Sequence, residues 1–220
     1  MASEPRLLLE PSVRAFEGLD AVLVRADGLS VAAAHPALER FKEETVARIR
    51  VEYDLGTLKD VPELRAYRDF FWRVGIDPTK IRPAAEALIR RILQGKPLPT
   101  INTLVDAYNL ASVATRIALA AFDAAKLRGD VAMRLAHAGE PFLGVGMDEP
   151  ISLTGREVVN EDGIGLIAVY PYRDAARTAV MLDTTSVVFM ACGVPGIPRR
   201  TIEEAARVTA EIVSRFRRRA

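Results

Sequence analysis

The stretch AYRDFFWRVGIDPTKIRP, residues 66–83, gathers Tyr67, Phe70, Phe71 and Trp72 together in a chain that is only 6% aromatic. Interleaved with Arg68 and Arg73 and preceded by Arg65, these rings form either a nucleic-acid surface or one face of a core helix. Spacing decides between the two. Leu64, Tyr67, Phe71 and Val74 recur at intervals of three and four residues and so share one helical face, while Arg68 and Asp69 point elsewhere. The predicted helix spans 61–74, with Asp60 as N-cap, Pro62 just inside it and Gly75 as its stop. Phe70 and Trp72 lie off the stripe. This helix is therefore covered on a second side, or it exposes a ring at a groove.

Outward from this helix, the upstream segment HPALERFKEETVARIRVEYDL predicts another helix, with Pro36 at its first turn and Leu38, Phe41, Val46, Ile49 and Tyr53 at helical intervals. Before it, strands are expected around Val13–Phe16 and Ala21–Arg25, the second closed by an Asp27-Gly28 turn. Downstream, PAAEALIRRILQ and INTLVDAYNLASVAT read as two more helices. Asn102 can cap the second of these. From Leu127 the pattern changes to short strand-like runs separated by Gly, Pro, Asp and Asn. TIEEAARVTAEIVSRFRRR then closes the chain as a helix, opened by a Thr201 to Glu204 capping box. Helices first, strands after and a closing helix indicate an α+β fold with a largely antiparallel sheet flanked by helices.

Composition narrows the function classes. A chain of 220 residues, half of them apolar and 27% charged, has the make-up of a globular protein, and no apolar run is long enough to span a bilayer. The opening MASEPRLLLEPSVRAFEG lacks the layout of a secretory signal, so a cytoplasmic location is expected. Cys192 is the only cysteine, which excludes an internal disulfide and a cysteine-based metal cluster; no metal and no cofactor are expected. His35 and His137 are far apart in sequence and read as structural or surface residues. A net charge of +1 excludes a global basic field. The local exception is the C-terminal RFRRRA, where Arg215, Arg217, Arg218 and Arg219 are either a solvated helix end or contacts for tRNA phosphates.

Dinucleotide, phosphate-loop and metalloprotease motifs are absent. Two places carry chemistry instead. Asp106 and Asn109 are three residues apart, on one face of an otherwise apolar helix, and are either satisfied by backbone groups or meet a ligand. YPYRDAART brings Arg173, Asp174, Arg177 and Thr178 to a strand end, and LDTTS adds Asp183, Thr184, Thr185 and Ser186. The alternatives there are a salt-bridged turn with a Thr-rich edge strand, or a site that recognises a carboxylate or phosphate.

The order of YRDFFWRVGIDPTKIRP, PAAEALIRRIL, INTLVDAYNLAS, FDAAKLRGDVAMRL, GEPFLGVG, PYRDAART and GVPGI resembles a stand-alone B3/4 domain. This is the tRNA-editing domain of the phenylalanyl-tRNA synthetase beta subunit, and the resemblance covers roughly Lys59 to the C-terminus. It implies a B3/4-like domain over 36–220, with residues 1–35 as a strand-rich extension packed on it. It further implies a trans-acting deacylase that clears a mischarged amino acid from tRNA, as some free-standing relatives do, including ones that remove canavanine from arginine tRNA. The alternative is a non-catalytic module holding tRNA or a free amino acid, and association with a synthetase is a further expectation. The synthetase pattern runs V-D-V-T-N-Y and P-L-H-A-F-D where this chain has VDAYN and ALAAFD. Tyr108 thus replaces the editing threonine, Ala120 the histidine and Met190 a glutamate. Asp106 and Asn109 carry over, and the stand-alone class adds the Arg173-Asp174 and Arg177-Thr178 pairs. With the reader of a phenol gone and aspartates remaining, the resemblance implies a polar or basic amino acid rather than tyrosine.

Overall fold

The computed structural model describes residues 5–216. In chain order, β1 (Leu7–Leu9) and β2 (Asp20–Asp27) precede four helices, α1 (Pro36–Glu52), α2 (Pro62–Arg73), α3 (Ala84–Leu93) and α4 (Thr103–Thr115). Strands β3 (Ala118–Asp123), β4 (Val131–Leu135), β5 (Pro141–Phe142), β6 (Ile151–Ser152), β7 (Val158–Glu161), β8 (Leu166–Val169), β9 (Arg173–Asp174) and β10 (Ser186–Gly193) follow. The last element is α5 (Arg199–Arg215).

The strands form a five-stranded sheet in the order β1-β4-β7-β8-β9, a three-stranded sheet in the order β2-β10-β3 and the small β5-β6 pair. Every ladder is antiparallel except β1 with β4, so the expected α+β fold with a largely antiparallel sheet is what forms. The early segment supplies a strand to each of the two larger sheets. α5 packs on β10 and β2, α4 on α5 and β3, and α1 and α3 on α4.

Helix α2 behaves as its spacing requires: Leu64, Tyr67, Phe71 and Val74 are all at most 1% exposed. Phe70 is buried too, edge-on to Phe16 and Tyr170, whereas Trp72 remains 54% exposed. The helix is thus covered on two sides and shows one ring to solvent. Tyr67 also does polar work. Its hydroxyl accepts from Ala118 N at 3.0 Å and donates to Cys192 O, which clasps α2 onto the paired ends of β3 and β10. Burial pushes its phenol far above the ordinary range.

Three local expectations are corrected. The strand expected at Val13–Phe16 does not form: Pro11–Val13 make a 3-10 turn, and the amides of Val13, Arg14 and Phe16 bond back to the carbonyls of Glu10, Pro11 and Val13 in place of a ladder; the first strand lies earlier, at Leu7–Leu9. Asp60 belongs to a separate 3-10 turn, and α2 begins after Val61 with no side-chain cap. The final helix starts at Arg199 behind Pro198, so Thr201 is already inside it and no capping box forms.

Replacing Tyr67 by phenylalanine keeps the ring and strips both hydrogen bonds, leaving a buried amide and carbonyl unpaired at the end of the β3/β10 ladder. The variant should lose about 1–3 kcal/mol in urea unfolding. A midpoint equal to that of the wild type would show that the clasp contributes nothing.

Candidate functional site

Where the two larger sheets approach each other, β3 faces β9, and α4 closes the gap from the side. The result is a cleft of about 170 Å³ whose walls include Tyr108 and Asn109 of α4, Ala120 of β3, Asn160 of β7, Arg173 and Asp174 of β9, and Met190 of β10. A cavity of roughly 150 Å³ accepts a benzene ring, so this volume suits a single amino-acid side chain. Ala120 and Met190 are directly opposed in the β3/β10 ladder and give the cleft an apolar floor. All three positions at which the synthetase pattern is replaced, Tyr108, Ala120 and Met190, line this one cleft.

Asp174 is its negative pole. The carboxylate accepts a single 3.3 Å bond, from Ala121 N, and among the described residues no cation pairs with it. Burial raises it to about 7, against the weak lowering effect of that one amide. Tyr108 stands nearby, and among the described residues none is hydrogen-bonded to its hydroxyl; burial first, and then the Asp174 and Asp106 charges, push its phenol upward. Arg173 leans over the Tyr172 ring, 5.2 Å from its centroid, and donates to Val145 O at 2.8 Å. Its Nε is buried without a partner. The FLGVG loop makes this arrangement possible, since a Cβ on Gly144 would collide with the aliphatic stem of Arg173.

Asn160, which the sequence reading did not single out, is wholly buried, and both its Oδ1 and its Nδ2 lack a hydrogen-bond partner. Each such atom costs on the order of 1–3 kcal/mol. Its one sequence signal is a polar residue ending the apolar run of VVNEDG, which reads equally well as the start of a turn.

Of the residues singled out from sequence, the cleft brings together Asn109, Arg173 and Asp174. Asp106 is elsewhere: it is 2% exposed, ion-paired with the buried Lys42 at 3.1 Å and bonded to Ile101 N, so its charge is already met. Arg177 is not among the cleft's lining: it pairs with Asp162 and donates to the Leu166 and Gly165 carbonyls. Thr178 is fully buried and donates to Ala175 O, and Thr184 donates to Asp123 at 2.8 Å. Asp183 is exposed, away from the cleft. Arg215, at the end of α5, lies over the Phe41 and Phe216 rings, while Arg217, Arg218 and Arg219 fall outside the described residues.

The raised Asp174 carboxyl links stability to pH. The unfolded group titrates near about 3.9, so between there and about 7 the folded protein holds the extra proton and its stability falls as pH rises. Urea unfolding at pH 5 and pH 8 should show this fall in the wild type. Asp174→Asn should flatten it and gain stability at pH 8; parallel slopes for the two proteins would contradict a desolvated, unpaired carboxylate.

Comparison with known proteins agrees with this architecture. The B3/4 domain family model matches residues 66–220. Among solved structures, the chain is similar to an N-terminal fragment of the phenylalanyl-tRNA synthetase beta subunit from Pyrococcus horikoshii, with a TM-score of 0.53 and 12% identity. That match covers 97% of this chain and 49% of the other, so this chain spans about half the length of the protein it resembles. At that identity the likeness establishes a shared fold. No curated protein sequence matches. With the family model covering well over half its length and the fold in agreement, the chain belongs to the B3/4 domain family.

Proposed function

We propose that this protein is a trans-acting deacylase that hydrolyses the ester between a mischarged amino acid and tRNA. The observation that carries the reading is the unpaired Asp174 carboxylate in a side-chain-sized cleft that also holds unbonded polar groups on Tyr108, Asn160 and Arg173. Every aminoacyl ester carries an α-ammonium, and a desolvated carboxylate with one weak donor is a suitable partner for it. Of the other aspartates singled out from sequence, Asp106 is neutralised by Lys42 and Asp183 lies outside the cleft, which leaves Asp174.

In this reading the amino acid enters side chain first. A water adds to the ester carbonyl, the bond to the terminal ribose oxygen breaks, and the products are a free amino acid and tRNA with its hydroxyl restored. No histidine lines the cleft among the described residues. The neighbouring hydroxyl of the terminal ribose therefore activates the water, and the protein contributes orientation and electrostatics. The apolar Ala120–Met190 floor replaces the polar reader of a phenol, so tyrosine is disfavoured, and the unbonded polar groups of Asn160 and Arg173 favour a polar or basic side chain. The setting is the cytoplasm. The C-terminal arginines from Arg215 onward would meet tRNA phosphates, and docking on a synthetase would supply the mischarged substrate.

Screening a panel of mischarged tRNAs, including arginine tRNA carrying canavanine, should reveal hydrolysis with at least one polar or basic amino acid. Asp174→Asn should lower kcat/KM on that substrate by on the order of 10²-fold. Arg177→Ala should weaken stability through the orphaned Asp162 and leave kcat/KM within about twofold. Binding of aminoacyl-tRNA without turnover would instead identify a non-catalytic module. Equal turnover by wild type and Asp174→Asn would remove Asp174 from the site.

A further inference from the structure

Among the described residues, the buried side-chain atoms left without a hydrogen bond are Asn160 Oδ1, Asn160 Nδ2 and Arg173 Nε, and both residues line the same cleft. Leucine shares the branched outline of asparagine, with the same number of side-chain heavy atoms, and would leave nothing unsatisfied at position 160. Folding alone therefore favours an apolar residue there. The β7/β8 ladder is also irregular beside position 160: between the Asn160–Ala168 and Glu161–Leu166 pairs β8 carries one extra residue, Ile167, an irregularity of the kind found next to sites.

We propose that Asn160 is the specificity-determining residue of the cleft, reading an amino-acid side chain whose end carries both a hydrogen-bond donor and an acceptor, as a carboxamide or ureido group does. This rests on the reading of the cleft as an aminoacyl site. Asp174 takes the ammonium common to all substrates and so cannot tell one from another. The Ala120–Met190 floor has no polar atom to offer from its side chains apart from a thioether. Arg173 Nε adds a donor only, and Asn109 and Tyr108 are partly exposed, whereas Asn160 is wholly buried with both amide atoms unmet. Asn160 presents both functions in one plane, and a site whose buried polar groups are satisfied only by the right side chain rejects an apolar analogue of equal size, because those groups are then left unpaired.

The test uses binding alone, so that it survives failure of the hydrolytic reading. The probes are the α-carboxamides of glutamine, citrulline and norleucine, which keep the ammonium and replace the labile ester. Calorimetric titration of the wild type should favour glutamine or citrulline amide over norleucine amide by at least about tenfold. Asn160→Leu should abolish or invert that preference and, with no ligand present, raise Tm by about 2 °C or more. Asn160→Ala, which cannot clash, should also abolish the preference. The proposal is overturned if either folded variant keeps the wild-type preference, if the wild type binds none of the three amides, or if Asn160→Leu lowers Tm while discrimination is unchanged, as it would if the amide only held a resident water. Discrimination that depends on Asn160 in a protein that hydrolyses no aminoacyl-tRNA would uphold this inference and refute the deacylase.

Discussion

Strand β10 is the constraint on which the structure depends. Every residue from Val187 to Gly193 is buried, and the strand is paired along both edges, with β2 on one side and β3 on the other. The pairing runs without interruption along both edges. That register sets Met190 against Ala120 and carries Cys192 to the Tyr67 clasp. The second tyrosine clasp also converges here: the Tyr170 hydroxyl lies 2.8 Å from both the Gly193 and the Asp20 carbonyl oxygens. Aromatic residues from α2 and from the β8/β9 turn thus lock the C-terminal end of this strand with hydroxyl groups while their rings fill the core.

The rigidity has a consequence at the seam between the sheets. Because β3 is fixed to β10, the amide of Ala121 is held beside β9, and among the described residues it is the one hydrogen-bond donor to the Asp174 carboxylate. Elsewhere the protein is generous to its buried charges. Asp162 would be raised by burial, yet the amides of Ile164, Arg128 and Gly165 together with Arg177 hold it below the usual carboxylate range. The wholly buried Glu86 is bonded to Arg68, with Arg82 and Arg90 at 3.9 and 4.0 Å. Asp106 has Lys42 and a backbone amide. Against those, Asp174 and Asn160 are polar groups placed where the fold supplies too little, and both face the same cavity. Unmet polarity concentrated at one cleft is a mark of a binding site, where a ligand completes what folding leaves open.

This contrast also explains how much was legible from sequence. Periodicity alone places Tyr67, Phe71 and Val74 in the core, because helical geometry repeats whatever the tertiary structure. The helices-then-strands order likewise fixes the fold class. Site chemistry is less readable. Arg177 and Thr184 looked like Arg173 and Asp174 on paper, since a guanidinium or hydroxyl has the same capacity whether it meets a ligand or a carboxylate of its own chain. Only the folded positions of Asp162 and Asp123 separate them. Asp106 failed for the same reason, its partner Lys42 lying 64 residues away. Asn160 went unnoticed because an asparagine before Glu-Asp-Gly reads as a turn; that it is buried and unbonded follows from the packing of β4, β7 and β8 around it.

The central claim is that one cleft, with Asp174 as its charge and Asn160 as its reader, receives the amino acid of an aminoacyl-tRNA. The most direct measurement is a crystal structure of the protein with an adenosine whose 3′ oxygen is replaced by nitrogen, carrying a glutamine through the resulting amide. The account predicts the ammonium within hydrogen-bonding distance of the Asp174 carboxylate, the side-chain carboxamide on Asn160, and the adenosine at the mouth of the cleft. An analogue bound instead against Arg177 and Asp162, or bound in the cleft with Asp174 and Asn160 both untouched, would contradict it.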